Sequence, residues 1–190
     1  MRIIAGRFKG HRLPLLRSNR VRPTMDRVRE AVFSSVGSAV QGARVLELFA
    51  GTGAFGFEAL SRGADFVLFV DRDQTVAQTL ARTAKILGVT DQVTILACTA
   101  AQAVKRLIGE NTKFDLVFLD PPYERNEVSR LFAATDAQDL VDDDGLLIVE
   151  QRARSPEPIV SPGLEKRFER RYGGTSISMY RKLAKTASSL

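Results

Sequence analysis

The sequence predicts an α/β fold: a mostly parallel sheet of seven strands with an antiparallel hairpin near its C-terminal end, preceded by a short basic hairpin and a helix. Two observations predict it. Between residues 43 and 150, short apolar runs of strand type alternate with segments of helical period, the pattern of a parallel sheet covered on both faces. After residue 150 the alternation stops. Leu164 to Tyr172 and Thr175 to Leu183 are separated only by Gly173-Gly174, and two strands joined by a two-residue glycine loop make an antiparallel hairpin.

Taken in order, residues 1–36 form a basic N-terminal extension and residues 37–185 the main domain. Met1 to Ala5 and His11 to Leu16 are short strand candidates around Gly6 and Gly10, so a hairpin is expected. Along Met25 to Val36, Val28, Ala31, Val32 and Ser35 fall at helical spacing, which turns Arg27 and Arg29 toward solvent. Strands are expected at Ala43 to Phe49, Phe66 to Val70, Gln92 to Ala97, Phe114 to Leu119 and Gly145 to Glu150, the last after an acidic turn, Asp142-Asp143-Asp144. Helices are expected at Phe55 to Arg62, Asp73 to Leu87, Ala100 to Ile108 and Asn126 to Thr135, with Gly63 and Gly88 ending the first two.

Composition narrows the function. Cys98 and His11 are each the sole residue of their type, so no internal disulfide is expected, nor a metal site built on Cys and His. No apolar run approaches the ~18 residues of a membrane span, and the N-terminus lacks a signal-peptide core, so a cytoplasmic protein is expected. The net charge of +6 is unevenly spread. Residues 1–30 carry nine Lys/Arg and two acids, residues 151–190 nine and three, and the middle ten and seventeen. Basic ends around an acidic middle suit a polyanion that touches both ends of the chain. Arg7, Lys9, Arg12, Arg22, Arg27 and Arg29 are the candidate phosphate contacts.

Two stretches carry chemistry. Gly51-Thr52-Gly53-Ala54-Phe55-Gly56 has the G-x-G-x-x-G spacing between a strand and a helix, and Asp71 ends the next strand 20 positions after Gly51, where a carboxylate can bind ribose hydroxyls. Alone, this suits a dinucleotide enzyme. Glu47 argues otherwise: it lies inside the first strand, four residues before Gly51, and a carboxylate buried there needs partners. A cationic amino-acid portion would supply them, whereas a pyrophosphate would be repelled. The second stretch is Asp120-Pro121-Pro122-Tyr123, which ends the strand from Phe114 to Leu119. The prolines fix the backbone and leave the carbonyls of Asp120 and Pro121 without a local N–H. Rigid acceptors beside an aromatic plane suit an exocyclic amine on a planar base. S-adenosylmethionine satisfies both stretches, having a sulfonium, an ammonium and a ribose. Asp71, the Cys98-Thr99-Ala100 corner and Asp120 all fall at strand ends and are expected to line one cleft.

The chain resembles the bacterial 16S rRNA (guanine-N2)-methyltransferases, a branch of the class I S-adenosylmethionine-dependent enzymes with a Rossmann-like sheet. The residues that carry the resemblance are Met1-Arg2-Ile3-Ile4-Ala5-Gly6 with Lys9-Gly10, Arg22-Pro23-Thr24, Asp26-Arg27-Val28-Arg29-Glu30, Leu48-Phe49-Ala50-Gly51-Thr52-Gly53-Ala54, Glu58-Ala59-Leu60-Ser61-Arg62-Gly63 and Asp120-Pro121-Pro122-Tyr123. It extends from residue 1 to about residue 150. The resemblance implies that S-adenosylmethionine is held by Glu47, Phe49, Ala50, Gly51, Thr52, Gly53, Asp71, Arg72, Thr99 and Ala100. It implies that Asp120, Pro121, Pro122 and Tyr123 handle the target base, in a metal-free monomer acting on ribosomal RNA within a small-subunit particle. A DNA adenine or cytosine amino-methyltransferase shares Asp-Pro-Pro-Tyr, but the chain has no room for a target-recognition domain. A non-catalytic RNA-binding module on a nucleotide-binding fold is the other reading, and methyl turnover would eliminate it.

Overall fold

The structure is a computed structural model that describes residues 1–14, 23–121, 127–155, 160 and 163–184. Its elements are α1 (Pro23–Val36), β1 (Arg44–Leu48), α2 (Ala54–Ser61), β2 (Phe66–Asp71), α3 (Gln74–Leu87), β3 (Val93–Ala97), α4 (Ala100–Gly109), β4 (Phe114–Leu119), α5 (Glu127–Ala134), β5 (Val141–Arg152), β6 (Leu164–Tyr172) and β7 (Thr175–Lys182). Short 3₁₀ turns at Gly37–Val40, Thr90–Gln92 and Ala137–Leu140 link some of them.

The seven strands form one sheet in the order β3-β2-β1-β4-β5-β7-β6. β1 to β5 are mutually parallel, and β7 lies antiparallel between β5 and β6. The expected sheet and hairpin are therefore both present. The chain steps outward from β1 to β3 and then returns to the other side of β1 with β4. That reversal opens a crevice beyond the carboxyl ends of β1 and β4, where open α/β sheets take ligands.

Each sheet face has its own apolar core. One contains Val45, Leu116, Phe118 and Ile148 from the strands under α1, α2 and α3, and the other contains Leu46, Leu48, Val117 and Leu119 under α4 and α5. Alternation of side chains along a strand produces this division. On the first face Phe55 stacks on Phe118 at 4.8 Å between ring centroids, and Phe33 of α1 joins them at 5.8 Å from Phe118. Every residue of α2 is buried. Gly56 makes that possible, because a Cβ there would sit 2.4 Å from the Phe69 ring.

The expected N-terminal hairpin is present but short, and two other expectations need correction. An antiparallel bridge, Arg2 to Arg12, is flanked by the Ile3 N–H donating to the His11 carbonyl at 3.0 Å and the Leu13 N–H donating to the Met1 carbonyl at 3.2 Å, and the same segment fastens to α2. The N–H groups of Ile4 and Ala5 donate to the Glu58 carboxylate at 2.7 and 3.1 Å, those of Arg7 and Phe8 to the backbone and side-chain oxygens of Ser61, and Ser61 Oγ donates to the Ala5 carbonyl. Residues 15 and 16 of the expected second strand lie outside the described residues. Arg29 is buried, not solvent-facing: its guanidinium donates to the Arg2 carbonyl and Asp26 and lies 3.5 Å from Glu58. Asp142, Asp143 and Asp144 are not a turn before β5 but its second to fourth residues, with Asp144 at φ +64°, in the stretch where the register with β4 shifts between Val141 and Leu146.

Candidate active site

The first part of the site is the turn from β1 into α2. Phe49 adopts φ +60°, a left-handed conformation that costs a non-glycine residue about 1 kcal/mol. Gly51 and Gly53 follow at φ +52° and +70°. The turn is pinned from several sides. The Ala50 N–H donates to the Val70 carbonyl at 3.0 Å, the Gly53 N–H to the Ala50 carbonyl at 2.8 Å, and the Gly51 N–H to Asp71 Oδ2 at 2.9 Å. Thr52 is buried and its hydroxyl meets Met1 Sδ at 3.4 Å, so the start of the chain reaches this turn.

Glu47, near the end of β1, faces α2. Its carboxylate accepts the N–H groups of Phe55 and Gly56 at 3.3 and 2.8 Å. These are orphan donors of the first helical turn, and α2 has no side-chain cap of its own at Gly53. Glu47 therefore caps α2 from across the turn. Burial nevertheless pushes its pKa up to about 8, against the opposing pull of the two backbone bonds and Arg29, with Asp71 adding a smaller upward push. No described Lys or Arg lies within ion-pair distance of it.

Asp71 ends β2 with each oxygen bonded once, Oδ2 by the Gly51 N–H and Oδ1 by the Asp73 N–H at 3.0 Å. A carboxylate has about four lone-pair sites, so acceptor capacity remains. Arg72 beside it is exposed. Thr99 caps α4 in a capping box with Gln102, exposed at the carboxyl end of β3, and Ala100 is buried behind it. Asp120 follows β4 and is half-buried, and Pro121 is buried. The pairing of Leu119 with Val149 puts Asp120 beside Glu150 on β5. Burial, then the carboxylates of Glu150 and Glu47, push the Asp120 carboxyl well above its usual range.

Glu47, the glycine turn, Asp71, Thr99 and Asp120 thus share the carboxyl edge of the sheet. Pro122, Tyr123 and Arg22 lie outside the described residues. Arg7, Lys9, Arg12 and Arg27 are exposed, but Arg7 lies away from this edge, tied to Gln92 Oε1 at 2.6 Å just before β3 begins. Two residues escaped the sequence reading. Glu58 anchors the N-terminal segment through donors more than fifty positions away, which no local pattern announces. Glu150 was seen only as the end of a strand, although a charged residue closing an apolar run beside another acid-terminated strand is a usable signal.

Among the described residues Glu47, Asp71 and Asp120 make no ion pair, and such a carboxylate set matches a positively charged ligand better than a pyrophosphate. Among the described residues no group of three or more His, Cys, Asp or Glu is arranged to hold a metal ion, and no helix is long and apolar enough to cross a membrane.

Sheet order, reversed hairpin and glycine turn define the fold of class I methyltransferases. The chain belongs to the family described as Conserved hypothetical protein 95, which matches over residues 1–181. Among relatives, Ribosomal RNA small subunit methyltransferase D of Haemophilus influenzae is 34% identical over 163 residues, covering 85% of this chain and 83% of its own length. The protein of that name from Escherichia coli K12 is 30% identical over 188 residues, 99% of this chain and 93% of its own length. The solved structure of yhhF from Escherichia coli superposes with a TM-score of 0.86 at 29% identity, covering 97% of this chain and 99% of that one. SMU.776, solved with SAH, superposes at 0.70 over 85% of this chain and 50% of its own, but at 15% identity it speaks for the fold alone.

Proposed function

We propose that this chain transfers a methyl group from S-adenosylmethionine to the exocyclic N2 amine of a guanine in 16S ribosomal RNA. The observation that carries the reading is the placement of Asp120 at the end of β4, next to Glu150 and across from the glycine turn and Glu47. The chain's similarity to proteins named Ribosomal RNA small subunit methyltransferase D supports the reading.

Glu47 and Asp71 hold the cofactor, Glu47 by charge and Asp71 through ribose hydroxyls, with Phe49 to Gly53, Arg72, Thr99 and Ala100 framing it. S-adenosylmethionine, when bound, would supply an electrophilic methyl: the S–CH3 bond would break as the N–CH3 bond forms, the neutral thioether would leave, and the amine would give up one proton to Asp120 or to water. Asp120 and the Pro121 carbonyl accept hydrogen bonds from the target amine, which fixes the nitrogen and draws its lone pair out of ring conjugation. A guanine must leave its stack to reach this edge, and Tyr123 supplies the face on which it rests. Residues 1–36 act as the RNA-binding extension and residues 37–185 as the catalytic domain, in a cytoplasmic monomer working on a small-subunit particle.

The test is transfer of tritiated methyl from S-adenosylmethionine to rRNA, free and assembled in small subunits, followed by nucleoside analysis. Label in N2-methylguanosine is expected. Label in adenosine or cytidine, or transfer to DNA in preference to rRNA, contradicts the proposal.

A further inference from the structure

The candidate phosphate contacts of the N-terminal segment are unevenly placed with respect to the site. Arg7 bonds through its N–H to the carbonyl of Ser61, the last residue of α2, and through its guanidinium to Gln92, just before β3. Both partners belong to the amino edge of the sheet. A strand of five or six residues separates that edge from Asp120, roughly 20 Å. RNA that presents a base to Asp120 needs contacts nearer the carboxyl edge.

Strand register supplies them. Leu119 pairs with Val149, so β5 runs past Asp120 and ends with Glu150, Gln151 and Arg152 beyond it. Arg152 pairs with Thr175, and Thr175 pairs with Tyr172 across the hairpin turn. The Ala153 N–H donates to the Gly174 carbonyl at 3.0 Å, which ties the turn after β5 to the tip of the hairpin. Arg152 and Arg154 on β5 and its turn, and Arg170 and Arg171 at the end of β6, are therefore gathered at the same edge as Asp120. All four are exposed. β5 is the strand adjacent to β4, and β6 lies two strands further, about 15 Å from β4 at 4.8 Å per strand. Arg170 lies over the Phe168 ring at 5.7 Å, and the Arg171 pairing with Glu169 at 3.5 Å leaves its side chain 69% exposed, a loose surface pair.

We infer that the end of β5 and the tip of the β6–β7 hairpin form an arginine rim that grips the phosphates flanking the target nucleotide, through Arg152, Arg154, Arg170 and Arg171. The inference rests on the proposed RNA methyl transfer and locates the substrate backbone on one side of that site. Guanidinium groups suit the role, because their planar donors meet phosphate oxygens in pairs. The amino-edge residues Arg7 and Lys9 then serve more distant RNA, or assembly of the N-terminal segment, and not the nucleotide undergoing reaction.

The test uses the full chain with all four arginines changed to Ala, a second with all four changed to Lys, and equilibrium binding of small-subunit rRNA across a range of salt. The Ala variant should lower the slope of log affinity against log salt by about 3, at 0.7–0.9 per lost phosphate contact, and raise KM for rRNA. The Lys variant should keep most of the slope. Cofactor affinity should stay within twofold in both. An unchanged slope and KM in the Ala variant overturns the rim. Should that variant melt early, Arg154→Glu alone, at an exposed position, carries the same test: weaker rRNA binding is expected, and wild-type binding overturns the inference. If the wild-type chain neither binds nor methylates rRNA, the proposed function falls. If it methylates rRNA while the variants behave as wild type, the rim alone falls.

Discussion

Two buried glutamates meet backbone at α2, Glu47 facing the helix from β1 and Glu58 standing on it, and they are solvated differently. Glu47 accepts the N–H groups of Phe55 and Gly56, and Glu58 accepts those of Ile4 and Ala5. In backbone bonds the two are equal. In charge they are not: Glu58 also meets Arg62 at 2.8 Å and Arg29 at 3.5 Å, whereas Glu47 meets no cation at ion-pair distance among the described residues. Peptide dipoles give a buried carboxylate geometry without neutralising it, and burial accordingly lifts Glu47 to about 8. Glu58 is complete and ties the N-terminal segment to the fold. Glu47 lacks a positive charge, and it lies at the edge where a cationic cofactor is proposed to bind.

The largest effect expected from this comparison is on stability. Glu58→Ala should cost about 3–5 kcal/mol by chemical denaturation, because it removes one of the two carboxylates beside the buried Arg29 and leaves two part-buried N–H groups without acceptors. A loss under about 1 kcal/mol, the worth of a surface pair, would mean that the buried pair is not the anchor. Asp120→Asn should lower single-turnover methyl transfer by about 10²–10³ while leaving cofactor affinity within a few-fold, as removal of one positioned hydrogen-bonding group does. Near-normal turnover would move the chemistry elsewhere.

Glu47→Gln should weaken S-adenosylmethionine binding by about 1.5–3 kcal/mol, the value of a charged hydrogen bond, in calorimetry. Its effect on the empty protein runs the other way. The folded carboxyl titrates near 8 and the unfolded one near 4.5. The stabilisation from its bound proton is therefore complete below 4.5 and is lost progressively as pH rises toward 8. Thermal melts of wild type should fall relative to Glu47→Gln across that interval, and parallel curves would show that Glu47 is not held protonated. The smallest effect is that of Arg7, Lys9 and Arg12 changed together to Ala. The salt slope for rRNA should drop by about 0.7–0.9 for each residue that touches phosphate, with cofactor binding unchanged. A loss of thermal stability with an unaltered slope would assign these residues to packing.

The sheet was legible because its central parallel strands are buried on both faces and read as apolar runs, as in Val45-Leu46 and Leu116-Val117-Phe118-Leu119. The glycine turn was legible because its spacing is local. Glu47 was suspected for its cost, and a strand pattern could not announce that the backbone of α2 also holds it. Arg29 was misplaced because the helical stripe was drawn through Val28 and Val32. Arg29, Phe33 and Val36 also recur at helical spacing, and that second stripe is buried too. The β5 start was missed because three successive aspartates look like a turn, whereas here they are the exposed second to fourth residues of a strand that begins at the buried Val141.

The comparison of the two glutamates is tested most directly by counting protons. Calorimetric titration of S-adenosylmethionine at pH 7, in two buffers of different ionisation enthalpy, measures protons released per cofactor bound. With Glu47 titrating near 8 in the empty protein, wild type should release close to one proton more than Glu47→Gln. Equal release from the two proteins, with both folded and both binding, would mean that Glu47 keeps the same charge throughout and does not meet the cationic part of the cofactor.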